Sequence, residues 1–190
     1  FNLFDLMNFG YDRNQGLKNP GLTAGTCLRK DYGMINENFP HTDLILQAHK
    51  INEFMPMFII NLIKSKKIKN KTVGILGYVF KKDTDDTRDS LSPKIYRYLS
   101  KLVPKNIYIS DYNLSKGPYN DKENQLSFKN LSEKELIKNS DVIIIAVNHS
   151  RYPDLIKKYN LKKKTIIDPW RVLSKKLINN HVKWSSKNIC

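Results

Sequence analysis

Cys27, Lys30 and Asp31 stand close together in the chain, and they supply a nucleophile, a cation and a carboxylate. The thiolate is the reactive form of cysteine, and a nearby cation favours it. A carboxylate four residues on could serve as a base or orient a water. The surrounding stretch, Asn19-Pro-Gly-Leu-Thr-Ala-Gly-Thr-Cys-Leu-Arg-Lys-Asp31, is rich in small residues. Pro20, Gly21 and Gly25 mark a tight loop whose amides could approach a ligand closely. A structural cysteine in a turn fits the same residues, because inert cysteines are common. The elements around the loop have to decide between the two.

Ahead of it, apolar residues at 1, 3, 4, 6, 7 and 9 read as the end of a helix, broken by Gly10 and Gly16. The abrupt start at Phe1 reads as a fragment or a processed chain. Behind the loop, His41 to Lys64 reads as one long helix. Leu44, Ile45, Ala48, Ile51, Met55, Phe58, Ile59 and Leu62 recur at helical spacing. Pro56 inside that pattern is expected to kink it or begin a new helix. Such broad apolar coverage calls for a covering domain or a dimer partner. Lys64 to Lys71 is a polar break and the expected domain boundary.

Beyond the break the rhythm changes. Thr72 to Val79, Asn106 to Ser110, Asp141 to Val147 and Thr165 to Asp168 read as short apolar strands. Between them lie a helix opening at Ser92-Pro93, one from Leu131 to Asn139 and one from Tyr152 to Tyr159. Ser132 and Glu135 stand at capping-box distance. Continuous apolar strands alternating with helices predict an α/β domain: a Rossmann-like parallel sheet with flanking helices, preceded by a helical segment. In such sheets ligands gather at the carboxyl ends of the strands. That draws attention to Phe80, Lys81 and Lys82, to Asp111, to Asn148 and His149, and to Pro169, Trp170 and Arg171.

Composition bounds the function. The chain has 190 residues, a net charge of +15 and two cysteines, Cys27 and Cys190. Two cysteines so far apart are no disulfide framework, and a reducing, cytoplasmic setting is expected. No apolar run approaches the length of a membrane span. Only six of the 33 basic residues are arginine, at 13, 29, 88, 97, 151 and 171. The lysines are scattered, as when an AT-rich genome fills solvent-facing positions. An anionic small molecule uses this charge better than nucleic acid does.

Gly74 and Gly77 do not make the three-glycine dinucleotide fingerprint, so no pyrophosphate cradle is expected at the first strand. The stretch Phe80-Lys-Lys-Asp-Thr-Asp-Asp-Thr-Arg-Asp-Ser90 is either a solvated loop or a ligand edge, with Lys81 and Arg88 as anion grips. Arg171 has the same rationale. The histidines at 41, 49, 149 and 181 lack metal-ligand spacing, so no metal site is expected. His149 could line a cleft or be an ordinary loop residue.

Three motifs together resemble the UDP-glucose/GDP-mannose dehydrogenase family of nucleotide-sugar 6-dehydrogenases. Residues 20–31 resemble its proline-glycine loop leading to Gly-x-Cys-x-x-Lys-Asp. Val73 to Ser90 resembles its strand and AFKPDTDDxRES signature. Ile167-Asp-Pro-Trp-Arg171 resembles its late DGR strand end. Ala24 replaces a glycine of the family loop, and Pro169-Trp170 replaces a glycine-containing pair.

The resemblance implies a three-part enzyme with an amino-terminal NAD domain, a helical middle that dimerises and a second Rossmann-like domain for the nucleotide sugar. Residues 1–66 would be the end of the middle part with the cysteine loop. Residues 67–190 would be the nucleotide-sugar-binding domain. It implies oxidation of the sugar C6 alcohol to a carboxylate in two NAD-dependent steps. Cys27 would be the nucleophile, Asp31 the proton-transfer or water-activating carboxylate and Lys30 an electrostatic aid. Gly25, Phe80, Lys81 and Arg171 would contact substrate, and Arg88 would reach the NAD phosphates. A homodimer is implied; the residues themselves lead to no expectation of a nucleic acid, membrane or metal partner. Other readings are a non-catalytic nucleotide-sugar-binding module and a basic nucleic-acid-binding protein.

Overall fold

Val73–Leu76 forms β1, and all four residues are buried, which explains their unbroken apolar run. The structure is a computed structural model that describes residues 21–64, 68–103, 106–159, 161 and 163–173. The expected helix at 1–14, and His181 and Cys190, lie outside those residues. Two helices precede the sheet, α1 (Thr26–Asn38) and α2 (Asp43–Lys64). After β1 come α3 (Ser92–Ser100), β2 (Ile107–Ser110), β3 (Gly117–Asp121) and β4 (Leu126–Asn130). Then follow α4 (Glu133–Asn139), β5 (Val142–Ile145), α5 (Tyr152–Lys157) and β6 (Thr165–Ile167).

The six strands are ordered β3-β4-β2-β1-β5-β6. β1 pairs in parallel with both neighbours, Val73 lying opposite Ile107 and Val142. β6 and β4 extend the parallel run, and β3 adds antiparallel to β4. The parallel α/β expectation holds. From β1 the chain goes to β2 on one side and later to β5 on the other. The switch point, where such sheets hold ligands, therefore lies between the carboxyl ends of β1 and β5.

Strand alternation divides the core between two faces. Val73, Ile75, Ile109, Val142, Ile144 and Ile167 meet Ile59, Ile60 and Ile63 of α2 and Ile95 and Leu99 of α3. Leu76, Ile143, Ile145 and Ile166 meet Leu136 and Ile137 of α4 and Tyr152 and Ile156 of α5. The carboxyl-terminal half of α2 thus shares one core with the sheet. Its amino-terminal half does not. Leu44, Ile51 and Phe54 are exposed there, Leu44 at 84%.

Several local expectations are refined. Helix α2 runs through Pro56 as one continuous element, with Pro56 buried, so no new helix starts there. Ser92 is the first residue of α3 rather than its cap. The N-cap is Leu91, with no side-chain cap, and the Ser90 hydroxyl accepts from the Ser92 amide at 3.2 Å and donates to the Tyr78 carbonyl at 2.7 Å. The Ser132–Glu135 capping box is present as expected. The β3–β4 hairpin was not anticipated.

Candidate active site

The cysteine does not sit in a loop. Gly25 is the N-cap of α1, with φ 124°, a conformation that glycine adopts freely. Cys27 therefore falls in the first turn of a 13-residue helix. This changes what the spacing means. On a helix, positions i, i+3 and i+4 share one face, so Cys27, Lys30 and Asp31 line up along α1. All three are exposed. No side chain caps the amino terminus of α1. Its first amides are thus left to other acceptors, and the positive end of the helix dipole lies beside the thiol.

The segment leading into α1 is docked onto the sheet. A Cβ on Gly25 would stand 3.2 Å from the Phe80 ring, and one on Gly21 would lie 2.2 Å from the Trp170 ring. Only glycine allows the second approach without displacement. Leu22 enters the main core. Asn52 of α2 donates to the Thr23 carbonyl at 2.6 Å. Phe80 follows β1, and Trp170 follows β6. Trp170 Nε1 donates at 2.9 Å to the carbonyl of Ala146, just past β5. The cysteine segment thus rests on the carboxyl ends of three strands, at the switch point.

Lys81 extends over the Phe80 ring, with Nζ 5.1 Å from its centroid, and leaves its ammonium exposed. Arg171 has φ 51° in the turn after β6. That turn is held by the buried Asp168 carboxylate, which accepts from the amides of Val172 at 3.1 Å and Leu173 at 2.9 Å. Gly25, Phe80 and Lys81 are therefore brought together. Arg171 is next to Trp170, which covers Gly21.

The 80–90 loop is ordered by its own polar side chains. The Phe80 amide donates to the Asp86 carbonyl at 3.0 Å. Arg88 folds back on Asp86 with a two-pronged contact, Nη2 to Oδ2 at 2.7 Å and Nε to Oδ1 at 3.0 Å. Hydrogen bonding from Arg88 holds the Asp86 carboxyl below its usual range. Arg88 is exposed and at the far end of the loop from Phe80. No described contact joins it to Cys27.

His149 does not line an open cleft. It is fully buried at 0% exposure. Its Nδ1 accepts from the Asp83 amide at 3.0 Å, so Nε2 carries the proton and faces Asp111 Oδ2 at 3.1 Å. The same Asp111 oxygen accepts from the Tyr78 amide at 2.7 Å and the Val79 amide at 3.2 Å. Burial pushes the Asp111 carboxyl up, but the His149 contact and the amides outweigh it and hold it low. This network ties the ends of β1, β2 and β5 together beneath the switch point. Its positions at strand ends were the only signal in the sequence.

Gly77 shapes the turn after β1. Gly77 has φ 95°, and a Cβ there would lie 2.6 Å from Val147 Cβ and 2.8 Å from its amide nitrogen. That space is filled by the segment just past β5, so only glycine fits there without displacement. Among the described residues, no group of three or more His, Cys, Asp or Glu is placed to hold a metal ion. Among the same residues, no helix is long and apolar enough to cross a membrane.

The profile of the UDP-glucose/GDP-mannose dehydrogenase family, UDP binding domain, matches residues 74–175. The chain is 29% identical over 170 residues to UDP-N-acetyl-D-mannosamine dehydrogenase of Methanococcus vannielii, covering 84% of this chain and 38% of that one. It is 32% identical over 165 residues to UDP-glucose 6-dehydrogenase of Rickettsia conorii, covering 80% of this chain and 37% of that one. Its fold is similar to that of GDP-mannose dehydrogenase from Pseudomonas aeruginosa, solved as a ternary complex. The TM-score is 0.69 at 17% identity, over 94% of this chain and 44% of that one. The chain spans less than half the length of these relatives.

Proposed function

The chain belongs to the UDP-glucose/GDP-mannose dehydrogenase family, and from that premise we propose that it serves an NAD-dependent nucleotide-sugar 6-dehydrogenase. In this reading, residues 67–190 are the nucleotide-sugar-binding domain. Residues 1–66 are the end of a helical region that carries the nucleophile. The observation that carries the proposal is the docking of the Gly21–Gly25 segment on Phe80 and Trp170. It brings the amino-terminal turn of α1, which holds Cys27, toward the residues that follow β1 and β6, the side on which such a fold holds its ligand.

The chemistry follows from the face shared by Cys27, Lys30 and Asp31. A bound NAD would supply the hydride acceptor for the sugar's C6 carbon. The primary alcohol loses one hydride and one proton to become an aldehyde. The Cys27 thiolate adds to that carbonyl carbon, making a thiohemiacetal whose oxygen carries the developing charge. Lys30 and the uncapped amides of the α1 amino terminus oppose that charge. Loss of a second hydride leaves a thioester on Cys27. Water attacks the thioester, Asp31 takes the water's proton, and the carboxylate leaves with the thiol restored. Four electrons leave the sugar, and one water enters it.

Gly25, Phe80, Lys81 and Arg171 are assigned to the substrate: backbone approach, an aromatic face and two cations for the diphosphate. Arg88, whose guanidinium is exposed, is assigned to the NAD phosphates, as the family resemblance implies. A reducing cytoplasm suits an exposed nucleophilic thiol. The test uses the full-length protein that carries this chain, supplied with UDP- and GDP-sugars and NAD. The expected result is two NADH per sugar and a uronic acid product, with Cys27→Ala making no acid. Acid formed at the parent rate by Cys27→Ala would remove the nucleophile assignment.

A further inference from the structure

Arg29 lies two residues past Cys27 on α1, and no role in the chemistry falls to it. Its Nη1 donates to Asp89 Oδ1 at 2.6 Å. Its Nη2 donates to Glu53 at 3.0 Å for Oε1 and 3.3 Å for Oε2. Asp89 ends the 80–90 loop beside Arg88, and Glu53 lies on α2. Lys94 of α3 donates to the same Glu53 carboxylate. One guanidinium therefore fastens the nucleophile helix to the loop after β1 and to α2, and through Glu53 to α3. Two cations face two carboxylates, so the cluster is balanced in charge.

Each of these side chains keeps between a quarter and a third of its surface exposed. A single pair of that kind contributes little. A planar fork that spans two carboxylates at once is different, because one ordered side chain satisfies two partners and fixes their relative direction. Burial pushes the Glu53 carboxyl up, yet Lys94 and Arg29 outweigh it and keep it ionised. Helix α1 has few other fasteners among the described residues. Tyr32 stacks on His49 of α2 with centroids 4.5 Å apart. Asn52 holds the Thr23 carbonyl. Much of the rest of the helix is exposed, including Lys30, Asp31 and Met34.

We infer that Arg29 is a positioning residue, which orients the first turns of α1, and with them Cys27, against the 80–90 loop. The inference takes its functional meaning from the reading of Cys27 as nucleophile. It does not depend on ligand binding for its test.

Hydrogen–deuterium exchange and iodoacetamide alkylation are measured on the whole chain in a Cys190→Ser background. In Arg29→Gln, amides 28–33 are expected to exchange at least tenfold faster, with β1 and β5 at parent protection. Alkylation of Cys27 slows at least threefold as the helix end loses its alignment. Arg29→Lys reaches one carboxylate and regains part of both effects. Asp89→Asn moves both readouts in the same direction by a smaller factor, and it decides the matter if Arg29→Gln does not fold. Exchange and alkylation within twofold of the parent would overturn the inference. So would faster alkylation, an equal loss across β1 and β5, or a lysine variant as impaired as the glutamine one. No nucleotide is present in either assay. A protein that bound no nucleotide sugar would defeat the functional reading and leave this result standing.

Discussion

Asp83 shows how the loop after β1 is set by single residues. It holds a left-handed turn at φ 58°. Its carboxylate accepts from the Tyr112 hydroxyl at 2.6 Å, the Ser150 amide at 3.1 Å and the Ser150 hydroxyl. These bonds, the Ser150 hydroxyl first, hold its carboxyl well below the ordinary 3.8. Burial first, and then the bond to Asp83, push the Tyr112 phenol up to about 12. Because the folded value of Asp83 is depressed, its contribution to stability is full above the ordinary value. It is lost as pH falls through the lower folded one. Urea midpoints taken from pH 5 downward should therefore fall less steeply for Asp83→Asn than for the parent. Parallel curves below pH 4 would contradict that account. Cys27, Lys30 and Asp31 drew attention at this scale by residue type and spacing, but the helix that carries them did not show. The burial of His149 and the fork of Arg29 were not legible, because their partners lie 24 to 66 residues away in the chain. A lone histidine or arginine carries no local mark of a distant carboxylate.

Among the elements, those with strong apolar periodicity were legible and those built by polar contacts were not. Helix α2 and strands β1, β2, β5 and β6 declare themselves through isoleucine, leucine and valine. Helix α1 does not. Its sequence carries Gly33 and few apolar positions, and it is held by the Arg29 cluster and the Tyr32–His49 stack rather than by a buried stripe. The β3–β4 hairpin hides behind Gly117-Pro118 and a run of Asn, Asp and Lys, residues poor in strand propensity. It is fixed by Tyr119 against Phe128 and by the Tyr78 hydroxyl on Asp121 at 2.9 Å.

Helix α2 also carries the proposal of a homodimer. Its amino-terminal half leaves Leu44, Ile51 and Phe54 uncovered, with Met34 and Phe39 of the α1 end also exposed. A second copy of the chain would cover such a face. Sedimentation of Leu44→Glu/Phe54→Glu should then show a monomer where the parent shows a dimer. A parent that sediments as a monomer at high micromolar concentration would contradict the pairing.

At the scale of the molecule, the sheet order delivers Phe80, Trp170 and the cysteine segment to one edge without any of them being near in sequence. That convergence was foreseen only as a rule about strand ends. Of the two glycines at β1, Gly74 lies in the strand and Gly77 in the turn after it, where a Cβ would meet Val147. The charge of +15 is shared by the rival reading of nucleic-acid binding, which demands an affinity that falls steeply with salt. A binding module without chemistry would need no nucleophile at Cys27, so the two readings part on whether that thiol reacts. The claim that Cys27 faces a bound nucleotide sugar is tested most directly by its alkylation rate in Cys190→Ser protein, with and without millimolar UDP- and GDP-sugars. At least one of these is expected to slow labelling of Cys27 fivefold or more, while the free monosaccharide does not. Labelling at an unchanged rate with every nucleotide sugar would contradict the account.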